Sequence, residues 1–208
     1  MLRLTPVVRT LIVINVMVFI VGNFGPKGDF GACFGYPGME TDAVTGFLAL
    51  YGPKTSCFKP YQLFTYMFVH GGFGHIFFNM LTLAFMGPIL ENYWGQGRFT
   101  TFYLVTGIGA GVFNLLIATF FHVGQFDTMV GASGAIYGVL MGFGMIFPNM
   151  EIQLLIPPIP IKAKYLVLVL GVMNFVLDRS GNVAHFAHLG GVIFAFIIIS
   201  IWRSQGRE

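Results

Sequence analysis

The sequence predicts an all-α integral membrane protein, a bundle of six transmembrane helices with both termini in the cytoplasm, on three observations. Of 208 residues, 56% are hydrophobic and 9% charged, against about one quarter charged in an ordinary soluble domain, so lipid must cover much of the surface. Apolar runs recur at about 7–23, 70–89, 99–121, 131–147, 163–177 and 184–201. None alternates as a membrane β-strand does, and long apolar runs that satisfy their own backbone are helices.

Arg3 and Arg9 precede the first run, and no small-x-small cleavage site follows it, so it reads as a retained helix rather than a removed signal. Residues 24–69 form a long first loop rich in Gly, Pro and charge, including Lys27, Asp29, Glu40, Asp42, Lys54 and Lys59. Short interfacial helices are expected there around Phe47 to Tyr51. Cys33 and Cys57 both fall in this loop. Two cysteines are too few for a four-ligand metal framework, which leaves a disulfide in an oxidising compartment or two free thiols. The fourth and fifth runs are shorter than the roughly 20 residues a spanning helix needs, so they draw on flanking residues or sit where the protein thins the bilayer. There is no internal repeat, and residues 1–208 read as a single domain.

Orientation follows from Lys and Arg, which are retained on the cytoplasmic side. With six spans, one side receives Arg3, Arg9, Arg98, Lys162, Lys164, Arg203 and Arg207. The other receives Arg179 and the lysines of the long loop, a kind of loop that the rule discounts. Trp94 and Trp202 then fall at cytoplasmic span ends, as interfacial anchors. The formal charge of +3 is small and scattered, so it gives no footprint for nucleic acid.

This topology brings polar residues together. Spans two, four and six all run inward from the outer face. His70, His75 and Asn79 lie early in span two, Ser133 early in span four, and His185 and His188 early in span six. Any one of them serves as hydrogen-bonding glue between helices, but a cluster of polar groups within the bilayer is a functional hypothesis. Ser133 sits in Gly131-Ala132-Ser133-Gly134 and needs a base to become a nucleophile, which either imidazole of span six can supply. His75 and Asn79 are four residues apart, on one helix face, as donors to a developing oxyanion. The Ser133 amide, near a helix N-terminus, joins them. No carboxylate is expected inside any span, so the arrangement is a Ser–His dyad, with Tyr137 one turn beyond Ser133 as a candidate to orient the imidazole. Gly134, Gly138 and Gly142 on span four, and Ala187, Gly191 and Ala195 on span six, form small-residue ridges suited to close contact between those two helices.

Taken in order, His70-x4-His75-x3-Asn79, Gly131-x-Ser133-Gly134 with Tyr137, and Ala187-His188-x2-Gly191 resemble the rhomboid family of intramembrane serine proteases, in its basic six-span bacterial form. The resemblance implies that Ser133 is the nucleophile and that His188, rather than His185, is the general base and later acid. It also implies oxyanion contacts from His75, Asn79 and the Ser133 amide, with His70 in support. Substrates would be single-span or other membrane proteins, cut in or near a transmembrane segment amid membrane lipids, without cofactor or metal. The fifth span, with the 178–184 connection above it, would be a mobile gate and cap. Two positions depart from the family pattern. Tyr61-Gln62 stands where Trp-Arg is frequent, which bears on how the first loop is anchored, and Ala195 replaces a frequent glycine.

Three rivals remain. A catalytically inactive rhomboid-like chaperone or trafficking factor would have no use for both Ser133 and His188. A metal site built from His70, His75, His185 and His188 lacks a carboxylate base and the His-Glu-x-x-His pattern. A transporter of another kind predicts paired repeats or broken helices, and neither is present. The absence of an organellar presequence points to a bacterial inner membrane.

Overall fold

The structure is a computed structural model that describes residues 3–34, 38, 40–121, 128–153, 158–177 and 185–206, leaving aside the side chains of 34 and 173–177. The expected cap over 178–184 lies outside the described residues. Eight helices are present among the described residues: α1 (Pro6–Phe24), α2 (Ala43–Leu48), α3 (Gln62–Thr65), α4 (Phe73–Trp94), α5 (Gln96–Phe121), α6 (Ser133–Ile146), α7 (Ala163–Leu177) and α8 (His185–Ser204). Six of them correspond to the six apolar runs. Four, namely α1, α4, α5 and α8, are long and apolar enough to cross a membrane, whereas α6 and α7 are shorter. The 14 residues of α6 reach only about 21 Å at 1.5 Å per residue.

Span two differs most from expectation. Its helix begins at Phe73, so His70 lies ahead of it in an extended segment, and it runs through Pro88 to Trp94 before Gly95, at φ +79°, ends it. The proline does not stop the helix because membrane helices tolerate the lost hydrogen bond where neighbours pack around it; Pro88 is buried.

The extension places Glu91 inside the helix, 3% exposed, which corrects the expectation that no carboxylate lies in a span. Its oxygens accept from the backbone N–H groups of Val7 and Val8, at 3.0 Å each, and from Thr5 Oγ1. Those amides open α1 just after Pro6 and have no intrahelical acceptor. A carboxylate at the positive end of the helix satisfies them, far along the chain from the polar cluster. Trp94 is likewise buried, stacked at a tilt on Phe102 with centroids 4.8 Å apart and edge-on to Trp202 at 5.4 Å. It is a packing residue rather than the lipid-facing anchor expected.

The centre of the bundle is α5, α6 and α8 packed on one another, with α4 against α1 and α6, and α7 chiefly against α6. Glycines set these approaches, but not in the two-ridge pattern expected. A Cβ on Gly191 would overlap the Gly134 carbonyl oxygen, so α6 and α8 do cross there in backbone contact. A Cβ on Gly138 would lie 2.6 Å from Thr106 Cβ, and one on Gly142 would lie 2.9 Å from Phe102 Cζ. Those two glycines therefore face α5, as does Gly134, whose Cβ would lie 2.5 Å from Ala110 Cβ; only the Gly134 main chain meets α8.

The first loop has more structure than its composition suggested. Strands β1 (Lys27–Asp29) and β2 (Glu40–Asp42) pair antiparallel. Asp42 then caps α2 by accepting from Thr45 N at 2.8 Å, so the helix lies earlier than the expected Phe47 to Tyr51. A second antiparallel pair, β3 (Glu151–Gln153) with β4 (Pro160–Lys162), follows α6. Cys33 and Cys57 are joined by a disulfide with Cα atoms 5.7 Å apart. Where the family pattern has Trp-Arg, the buried Gln62 amide donates to the carbonyls of Cys57 (3.1 Å) and Phe47 (3.4 Å) and accepts from Lys59 N (2.9 Å). Tyr61 Oη adds a bond to the Phe47 carbonyl. Anchoring is thus by a neutral amide plus a disulfide.

A disulfide closing a loop of this length is worth about 2–4 kcal/mol in the chain-entropy account. Reduction, or Cys33→Ser, is expected to make the loop open to added protease while the oxidised protein resists. Equal digestion of both forms would show that the bond constrains nothing.

Candidate active site

Three helix N-termini meet at the end of the bundle that carries the disulfide-bonded loop. α6 begins at Ser133, α8 at His185 and α4 at Phe73. The approach to Ser133 is fixed by main chain. Leu50 and Met129 exchange both backbone hydrogen bonds, at 2.9 and 3.0 Å, which ties the first loop to the segment ahead of the serine. Gly131 N then donates to the Tyr66 carbonyl at 2.9 Å. Gly131 has φ +118°, a conformation that favours glycine. A Cβ there would also fall 2.6 Å from His75 Nε2. Glycine is required on both counts, and the second places the His75 ring directly against the loop that leads to Ser133.

Turning the chain at Gly131 starts α6 with Ser133 in its first turn, where backbone N–H groups have no intrahelical acceptor. Ser133 Oγ lies 2.8 Å from His188 Nε2. For the imidazole to accept the serine proton at Nε2 it must be neutral and carry its own proton on Nδ1. His188 comes one turn into α8, and its neighbours Ala187 and Gly191 are small where α8 crosses α6, which lets the ring reach across. Tyr137 stacks on the His188 ring, with centroids 4.3 Å apart and planes inclined by 13°, while its hydroxyl donates to the Leu170 carbonyl of α7 at 3.1 Å. The phenol ring thus fixes the plane of the imidazole.

On α4, Asn79 is buried and its Nδ2 lies 3.1 Å from His70 Nε2. The His70 and His75 rings meet edge to face at 5.0 Å. The expected residues are therefore assembled in two contacts, Ser133–His188–Tyr137 and His70–Asn79 with His75 against Gly131. His185 opens α8 one turn ahead of His188. Among the described residues, no three of His, Cys, Asp and Glu are grouped as metal ligands. The Tyr66 and Leu170 carbonyls, which position Gly131 and Tyr137, were not anticipated, since main-chain acceptors leave no mark in residue identity.

Fold and site together define a helical integral membrane protein with a serine and a histidine hydrogen-bonded among helix ends. The chain belongs to the rhomboid family: the family model described as "Rhomboid domain" matches residues 58–205. The chain is 33% identical to "RHOMBOID-like protein 4" of Arabidopsis thaliana over 66% of its own length and 33% of the relative. It is 32% identical to "Rhomboid protein 1, mitochondrial" of Saccharomyces cerevisiae, over 60% and 36% of the two chains. With "Rhomboid-type serine protease 2" of Emericella nidulans it shares 33% identity over 60% and 23%. The aligned region is thus about a third or less of the length of these curated relatives.

Proposed function

We propose that the protein is an intramembrane serine endopeptidase that hydrolyses peptide bonds in or near transmembrane segments of membrane proteins. The observation that carries this reading is the 2.8 Å contact between Ser133 Oγ and His188 Nε2. As Oγ attacks the scissile carbonyl carbon, its proton passes to Nε2, and the carbonyl oxygen becomes an oxyanion held by donors from His75, Asn79 and the Ser133 amide. Collapse breaks the C–N bond, and His188 gives its proton to the departing amine. Water then attacks the acyl-serine with His188 again as base, releasing the new carboxyl terminus and restoring Ser133.

The single domain is read as six spans with both termini cytoplasmic and the site toward the extracytoplasmic side. The Cys33–Cys57 bond supports that orientation, because disulfides persist where the compartment is oxidising and this loop lies at the Ser133 end. The short α6 keeps the nucleophile below the membrane surface. α7, held chiefly by α6, is the element best placed to move aside for a substrate helix. The relatives named are from a plant, a yeast and a filamentous fungus, so the expected bacterial inner membrane draws no support from them and the reading is confined to an integral membrane protein.

The test is cleavage of a tagged single-span membrane protein by the purified protein in lipid vesicles. Cleavage is expected to stop after treatment with a fluorophosphonate, with the label on Ser133, and to persist in a metal chelator. Cleavage lost to the chelator and restored by zinc would overturn the dyad. No cleavage and no labelled serine would favour the inactive chaperone or trafficking factor.

A further inference from the structure

A cavity of about 220 Å³ lies between the outer end of α1, the β2–α2 corner and residues 69–72. Asn23, Thr41, Asp42, Thr45 and His70 contribute to its wall. That volume holds several waters at roughly 30 Å³ each, and the wall is polar enough to bind them. His70 is only 7% exposed, and its two ring nitrogens differ in their surroundings. Nε2 faces Asn79 Nδ2 at 3.1 Å, while Nδ1 is buried without a hydrogen-bond partner in the protein. The Phe68 carbonyl lies beside the ring, at the margin of hydrogen-bonding geometry.

An amide nitrogen can only donate, so the ring nitrogen opposite Asn79 Nδ2 carries the lone pair. A neutral imidazole has one N–H, which then falls on Nδ1. A buried donor requires an acceptor, and the Phe68 carbonyl beside the ring can supply it. Asn79 Nδ2 has two hydrogens, so the one not given to His70 is available to another acceptor. The alternative arrangement, with the amide turned over, would set Oδ1 against an Nε2–H and leave Nδ1 as acceptor. The two arrangements therefore differ in tautomer.

We propose that His70 is a positioning residue for Asn79: with its proton on Nδ1, it accepts one Asn79 amide hydrogen at Nε2 and so holds the other toward the oxyanion. This rests on the reading of Ser133 as nucleophile. His70 touches no reacting atom itself. It decides which end of a buried amide is presented as a donor, in an environment where a wrongly turned carbonyl would repel the developing charge.

Two measurements test it. Long-range 1H–15N NMR of histidine-labelled wild type in detergent is expected to find His70 neutral and protonated at Nδ1. An Nε2–H tautomer, or a charged ring, would overturn the proposal, and this readout does not depend on catalysis. The second measurement is a set of variants. His70→Gln sets an amide oxygen near the position of Nε2, whereas His70→Leu fills the space without an acceptor. Cleavage by the Leu variant is expected to fall about 30- to 100-fold in kcat, of the order of losing one oxyanion donor, with KM within about threefold. The Gln variant is expected to stay within about fivefold of wild type in kcat. If Leu does not fold, His70→Asn serves, since its side chain is too short to reach Asn79 and is expected to behave as Leu does. Leu or Asn as active as Gln would reduce His70 to packing and overturn the proposal. Failure of wild-type Ser133 to take a fluorophosphonate would instead count against the nucleophile reading, while the tautomer would still decide the role of His70.

Discussion

Replacing Ser133 with Ala, or His188 with Ala, is expected to reduce cleavage of a single-span substrate by about four to six orders of magnitude, to the background of the assay. In the proposed mechanism the two residues act as one unit through the Ser133 Oγ–His188 Nε2 bond. Without His188 the hydroxyl keeps its proton, and without Ser133 the imidazole has nothing to activate. The double variant should therefore be no slower than either single one, because removing the second member of a broken pair costs nothing further. Folding should survive. Each change loses one hydrogen bond worth about 1 kcal/mol, His188→Ala also loses the stacking on Tyr137, worth about 0.5–1.5 kcal/mol, and the α6–α8 crossing at Gly134 and Gly191 involves neither side chain. Melting curves in detergent will separate a chemical defect from collapse. Undiminished cleavage by a well-folded Ser133→Ala would sink the mechanism.

The parts of the molecule that could be read in advance are those where residue type and helical register suffice. Apolar runs located α1 and α4 to α8, since a membrane leaves few other ways to satisfy the backbone. The shared direction of the second, fourth and sixth runs placed the ends that carry Ser133, His188 and Asn79 together, and four-residue spacing put Tyr137 on the face of Ser133, where it stacks on His188. The failures have a common cause. Glu91 reads as a polar span end, because nothing nearby in sequence reveals that the amides of Val7 and Val8 will need a carboxylate. Gly138 and Gly142 read as part of a face toward α8, but Thr106 and Phe102 of α5 occupy it. Partners distant in sequence decide both cases. Composition also hid the first loop: its hairpin, disulfide and Gln62 anchor depend on specific pairings as far as 24 residues apart, where local propensity is silent.

The α6–α8 crossing yields the sharpest structural prediction. A methyl group on Gly191 would overlap the carbonyl oxygen of Gly134 and come within 2.9 Å of its carbon. Both obstacles are main chain in helices, so no side-chain rotation relieves the clash, and α8 must move away from α6. Gly134 directly follows Ser133, and Gly191 lies three residues past His188, so the displacement falls where the dyad is formed. A movement of about 1 Å at a reacting pair costs on the order of 100-fold, and overpacking of this kind costs about 1–3 kcal/mol in stability. Gly191→Ala is accordingly expected to fold with a lowered melting temperature and to cleave about 100-fold more slowly, although it alters no reacting group. Gly97→Ala is the control. Nothing lies within 4 Å of a Cβ at that helical position, so the change should leave cleavage intact and favour the helix by up to about 1 kcal/mol. The decisive measurement is the initial rate of both variants in the same vesicles, alongside fluorophosphonate labelling of Ser133. If Gly191→Ala retained wild-type cleavage and labelling, close backbone contact between α6 and α8 would not be what holds His188 to the serine.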